Sequence, residues 1–137
     1  MAGSPGPGEG ASSDRPVVLL VEDHADTRIM YAEFLSLSFA VLTAGSGTEA
    51  LETLRTERLD LLITDLSLPG LDGFQLIARV RADPATSRLP IICLSGYGGH
   101  VHEQRARDAG ADRALQKPCM PDTLEEIALA LLQHPER

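Results

Sequence analysis

The sequence predicts a doubly wound α/β fold: a five-stranded parallel sheet in the order 2-1-3-4-5 with helices on both faces. Three observations carry this prediction. Short apolar runs rich in Val, Ile and Leu recur along the chain, as in strands buried on both faces. Each run is followed by helical spacing or a helix-start signal. Strands joined by helices run parallel through right-handed crossovers, and five such units fit the roughly 120 residues after position 16.

The elements follow in order. Val17–Val21 (VVLLV) reads as the first buried strand. The stretch 25–38 carries Met30, Phe34 and Leu37 at i, i+4 and i+7, one helical stripe expected to face the core. Ala40–Ala44 is the second strand. Ser46 and Glu49 have the spacing of a capping box and open a helix that carries Leu51 and Leu54. Asp60–Asp65 (DLLITD) is the third strand. Asp72 caps the next helix with Gln75 three residues on, and Leu76, Ile77 and Val80 form its buried side. Pro90–Leu94 (PIICL) is the fourth strand, followed after Gly99 by a polar, alanine-rich helix. Ala111–Gln116 is the fifth strand. A final helix opens at Thr123–Glu126, with Leu124, Ile127 and Leu131 inward.

The first 15 residues are rich in Gly, Pro and Ser and read as a flexible arm, since such a segment buries too little apolar surface to offset its ordering entropy. Residues 16–137 then form one domain, a size at which a core of side chains needs no disulfide or metal staple. The chain of 137 residues has 20 acidic against 12 basic residues, a formal charge of −8. That balance argues against nucleic acid, which requires a basic face, and against an anionic membrane surface. Cys93 and Cys119 show neither a disulfide framework nor metal-type spacing and read as structural. With no signal-peptide pattern or membrane-length apolar run, the expected setting is cytoplasmic.

In a sheet of this order the carboxyl ends of strands 1 and 3 lie side by side, at the point where ligands bind. Strand 1 ends in Glu22-Asp23, strand 3 in Asp65 and strand 4 in Ser95, while Lys117-Pro118 follows strand 5. Three carboxylates, a hydroxyl and an ammonium therefore converge. Close carboxylates repel unless a cation sits among them. Oxygen donors with no His or Cys nearby select Mg²⁺ or Mn²⁺ over zinc. A carboxylate beside such an ion and a fixed lysine can attack phosphorus, with the Ser95 hydroxyl hydrogen-bonding one of the transferring oxygens.

This pattern resembles the receiver domains of bacterial two-component response regulators, the CheY-like superfamily. The resemblance covers residues 16–133 and rests on VEDHADTR at 21–28, ITDLSLPGLDG at 63–73, LSG at 94–96 and the Lys-Pro pair at 117–118. The block around Asp65 is the specific part, with Pro69 four residues on and then Asp72-Gly73. The resemblance implies that Asp65 accepts a phosphoryl group from a phosphohistidine on a histidine kinase or a histidine phosphotransfer protein. It further implies that Asp23 binds Mg²⁺ directly, Glu22 mainly through water, and the Ser67 backbone carbonyl as a further ligand. Ser95 is the implied switch hydroxyl and Lys117 its fixed positive partner, with output through docking on a downstream protein.

Two positions depart from the family's commonest form. Where many receivers carry Tyr or Phe three residues before the lysine, this chain has Ala114. The loop after Ser95 reads Gly96-Tyr97-Gly98-Gly99, and Tyr97 is expected to take over part of the switching or to shield the acyl phosphate. The chain is expected to act as a free receiver, as a phosphotransfer intermediate or as the receiver segment of a hybrid histidine kinase. It is not expected to be an enzyme acting on outside substrates. A dehalogenase-type Mg²⁺ phosphatase needs a proton-donating acid two residues after its aspartate, where Ser67 stands. Gly45, Gly47 and Ala50 fit a dinucleotide-binding pattern, but they follow the second strand rather than the first. No His stands at a strand exit to activate Ser95, and the four histidines, His24 and His102 among them, are expected to be surface spectators.

Overall fold

The computed structural model describes residues 15–96 and 99–133, so Tyr97 and most of the expected arm lie outside the described residues. Strands and helices alternate as β1 (Val17–Val21), α1 (Ala25–Leu35), β2 (Ala40–Ala44), α2 (Gly47–Thr56), β3 (Leu61–Asp65), α3 (Gly73–Ala82), β4 (Ile91–Ser95), α4 (Gly99–Ala109), β5 (Arg113–Gln116) and α5 (Pro121–Gln133). The five strands are parallel and ordered β2-β1-β3-β4-β5, as predicted. β3 and β4 are buried at every residue, which is why their sequences show no polar alternation until they end.

The period of two along each strand divides the core. Leu61 and Ile63 of β3 join Val18, Leu20, Ile92 and Leu94 under α1 and α5. Leu62 joins Leu19, Val21, Ile91 and Cys93 under α2, α3 and α4. Buried Ala114 sits in this second layer, opposite Cys93 in the β4–β5 register and near Ala106 of α4, so small side chains pack where an aromatic is absent.

α1 buries a different stripe from the predicted one. Tyr31 and Leu35 face the core, whereas Met30 and Leu37 are exposed and Phe34 is only partly buried. Apolar residues surround this helix, so spacing alone admits both stripes; the Tyr31 hydroxyl decides by donating to the Cys119 carbonyl at 2.6 Å. The helix also stops at Leu35 rather than 38, with the chain then turning to bury Phe39. In α5 the innermost residues are Leu124, Ala128 and Leu131, with Ile127 only partly buried. β5 begins two residues later than predicted because Asp112 is used in a side-chain bond to the Ile91 amide.

The caps are local and legible. Asp72 and Gln75 form the reciprocal capping box of α3. Ser46 accepts from the Glu49 amide at the start of α2, but the Glu49 carboxylate reaches back to the Gly45 amide rather than to Ser46.

Candidate functional site

Register fixes the heights of the strand-end residues. Val21 pairs with Thr64, so Glu22, one residue on, is level with Asp65. Ser95 pairs with Gln116, which brings Lys117 to the same edge, where its amide donates to the Ser95 carbonyl at 2.7 Å. By the strand alternation Glu22 and Asp65 continue the α1–α5 face, and Ser95 the opposite one.

Two of the sequence-predicted carboxylates, Glu22 and Asp65, meet at one ammonium. Lys117 Nζ donates to Asp65 Oδ2 at 2.9 Å and to Glu22 Oε1 at 3.0 Å. Asp65 Oδ1 accepts from the Ser67 amide at 3.2 Å, so both of its oxygens are held. Glu22, Asp65 and Ser95 are all buried, whereas the Asp23 side chain is 31% exposed. Burial alone would push the Lys117 amine down. The hydrogen bonds and charges of Asp65 and Glu22 outweigh it and hold the ammonium above its ordinary value. Against three carboxylates, one fixed cation leaves a local formal excess of negative charge.

The loop between β3 and α3 is shaped by two glycines. Gly70 adopts φ +71°, which a side chain rarely tolerates. Gly73 starts α3 against the backbone of the acceptor strand: a Cβ there would lie 2.4 Å from the Asp65 carbonyl oxygen. The Asp-Gly pair of the sequence thus both caps α3 and lets it abut Asp65.

Asp65, Asp23, Ser95 and Lys117 open into a cleft of about 480 Å³ at the carboxyl edge. Its lining includes the oxygen donors Asp23, Asp65, Ser67 and Ser95, a set that fits a hard divalent ion such as Mg²⁺. His102 lines this cleft with Phe74, a pairing the sequence did not signal. Their rings are stacked with centroids 6.1 Å apart, and the Arg105 guanidinium lies 3.9 Å from the Phe74 ring centre, joining α3 to α4 beside the site. His24, next to the acid pair in sequence, reaches the rim of the site as its position suggests: its Nδ1 is 3.9 Å from Glu22 Oε2 and 3.9 Å from Asp23 Oδ1. Adjacency to Glu22-Asp23 was the only signal for His24. No spacing could have signalled the Phe74–His102 pair, which joins two helices.

A family model for the response regulator receiver domain matches residues 18–129. The chain belongs to that family. Among similar proteins is the transcriptional regulatory protein AfsQ1 of Streptomyces coelicolor, 38% identical over 89% of this receiver chain and 53% of its own length. The sensor histidine kinase RcsC of Escherichia coli K12 is 32% identical over 93% of this chain but only 13% of its own. The receiver chain thus spans about half the length of the first relative and about an eighth of the second. Among solved structures, the chemotaxis response regulator CheY4 of Vibrio cholerae superposes with a TM-score of 0.80 at 29% identity, covering 85% of this chain and 98% of that one. No helix among the described residues is long and apolar enough to cross a membrane.

Proposed function

We propose that this receiver domain, residues 16–137, takes a phosphoryl group from a phosphohistidine of a histidine kinase or histidine phosphotransfer protein onto Asp65, in the cytoplasm and in a Mg²⁺-dependent reaction. Support comes chiefly from the geometry of one side chain: Lys117 holds Asp65 Oδ2 and Glu22 Oε1 together, and Lys117 and Asp65 line an open cleft. In the transfer an Asp65 oxygen bonds to phosphorus as the bond from phosphorus to the donor imidazole nitrogen breaks, and the imidazole departs with that electron pair. Lys117 is positioned to neutralise a phosphoryl oxygen as charge shifts onto it. The Ser95 hydroxyl, buried at the same edge, is the group that would move onto another. Asp23, Asp65 and the Ser67 backbone carbonyl would hold the ion directly, and Glu22 mainly through water. The ion supplies positive charge against the phosphoryl oxygens.

The output is docking of the phosphorylated face on a downstream protein. With Ala114 in place of an aromatic, switching runs through Ser95 and the loop of Tyr97 rather than through a swinging ring. The similarity to RcsC favours a second reading beside the free protein, in which the chain is the receiver segment of a hybrid kinase or a phosphotransfer intermediate.

Incubation of the chain with Mg²⁺ and acetyl phosphate is expected to add the mass of one phosphoryl group, mapped to Asp65 by peptide analysis. Asp65→Asn and chelation of the ion are each expected to abolish the adduct. An unmodified wild-type chain, or an adduct that persists in Asp65→Asn, overturns the assignment.

A further inference from the structure

Lys117 is the only lysine of the chain, and it stands in a turn poor in backbone donors. Pro118 follows it and Pro121 opens α5, and neither offers an N–H. The amide of Lys117 is tied to the Ser95 carbonyl, and the far side of the turn is gripped from α1. Tyr31, buried in the core with Leu35, Leu124 and Ala128, donates its hydroxyl to the Cys119 carbonyl at 2.6 Å, two residues beyond the lysine. Burial raises the Tyr31 phenol above its ordinary value, so the group remains a protonated donor. Three residues earlier on the same helix, Arg28 Nη1 donates to the Glu22 carbonyl at 2.8 Å. Residues spaced i and i+3 are neighbours on a helix surface. One turn of α1 thus holds the backbone on both sides of the contact between Lys117 Nζ and Glu22 Oε1.

We propose that Tyr31 is a positioning residue for phosphoryl transfer: by anchoring the Cys119 carbonyl it sets where the Lys117 ammonium stands between Glu22 and Asp65. The inference rests on the reading of Asp65 as phospho-acceptor and Lys117 as its charge partner. An ammonium that neutralises a phosphoryl oxygen is most effective when it is aimed before the reaction, because no reorganisation is then needed as charge develops. A displacement of about 1 Å at such a group can cost on the order of a hundredfold in rate. The Tyr31 hydroxyl acts through the lysine and touches no substrate.

Tyr31→Phe keeps the ring in the core and removes only the tether. In the full chain labelled with isotopic lysine, Lys117 gives the single Nζ resonance, read through its ε-methylene protons. In Tyr31→Phe that resonance is expected to shift, and the rate of Asp65 phosphorylation by acetyl phosphate at saturating Mg²⁺ is expected to fall at least about fivefold. Tyr31→Met, another apolar side chain without the hydroxyl, is expected to match it in both readouts. Leu35→Val, which loosens the same helix but keeps the Tyr31 hydroxyl, is expected to leave the resonance in place and the rate within about twofold of wild type. An Nζ resonance unmoved in Tyr31→Phe, or one that moves while the rate stays within about twofold, overturns the inference alone. An equal fall in rate in Leu35→Val does so too, because the tyrosine then serves only the packing of α1. If the unaltered chain takes up no phosphoryl group, the reading of the site falls and the inference with it.

Discussion

At the amino-terminal edge of the sheet Arg81 and Asp112 form a matched ion pair, whereas at the carboxyl-terminal edge Lys117 is divided between Glu22 and Asp65. Both clusters are largely buried, but their hydrogen bonding differs. Arg81 reaches Asp112 Oδ2 at 3.1 Å and also donates to the carbonyls of Gly110, Ser87 and Leu89. Asp112 Oδ2 accepts in turn from the Ile91 amide at 2.8 Å. Opposite charges thus meet inside a mesh of backbone bonds that ties α3, β4 and β5. Three carboxylates face one ammonium at the other edge, and a cleft opens beside them. The first arrangement holds the strands in register. The second keeps unbalanced charge where a cation and a phosphoryl group would enter, and unbalanced charge is costly to the fold.

Substituting the same residue type at the two edges separates these roles. Asp112→Asn removes a carboxylate that pairs with Arg81, whose side chain is only 13% exposed. Breaking a buried pair from one side is strongly destabilising, so a loss of about 3 kcal/mol is expected, read as a lower midpoint in urea unfolding. Phosphate uptake by the fraction that remains folded should be unaltered. A midpoint within error of wild type would show that the amino-terminal pair is dispensable.

The difference between the edges also explains what the sequence disclosed. Strand ends are local, so Glu22, Asp23, Asp65, Ser95 and Lys117 were identifiable once the apolar runs were delimited, and the register then assembled them. Arg81 and Asp112 are separated by 31 positions and sit in ordinary polar contexts, a helix end and a loop, so no pattern marks them as partners. Phe74 and His102 escaped for the same reason. The α1 stripe is not legible in the sequence because both candidate stripes have helical spacing. The bond from Tyr31 to Cys119, 88 positions away, selects between them, and that contact belongs to the tertiary fold rather than to the helix.

Between the two edges the sheet is uncharged, and Cys93 in the middle of β4 reports on it. Burial pushes its thiol up to about 12 from an ordinary 9.0. Well below pH 9 the thiol is neutral in both the folded and the unfolded chain and contributes nothing to the pH dependence. Above that the unfolded chain loses the proton while the folded chain keeps it. Stability therefore falls as pH rises from 9 toward about 12, by about 1.4 kcal/mol per unit from this group at most. Cys93→Ala is expected to show a shallower alkaline loss than wild type in unfolding titrations between pH 8 and 10. Equal slopes would mean that the centre of the sheet admits charge, and the contrast with its ionic ends would weaken.

The smallest expected effect has the opposite sign to the first. Asp65→Asn removes one of the carboxylates crowded around Lys117 but keeps an oxygen that can accept from its ammonium. Glu22 then retains Lys117 as a near one-to-one partner, closer to the balanced pair at the other edge. In metal-free buffer the substitution is expected to raise stability by about 0.5–1 kcal/mol, the usual scale when a functional site is relieved of its own strain. Added Mg²⁺ should close that gap and then reverse it, because an ion that binds only the folded wild type stabilises it by mass action, by about 2.7 kcal/mol at a hundredfold excess over its dissociation constant. A midpoint for Asp65→Asn below that of wild type without metal would mean that Asp65 is held as securely as Asp112. The carboxyl edge would then be a second structural ion pair, and its surplus charge would no longer distinguish a working site from a strut.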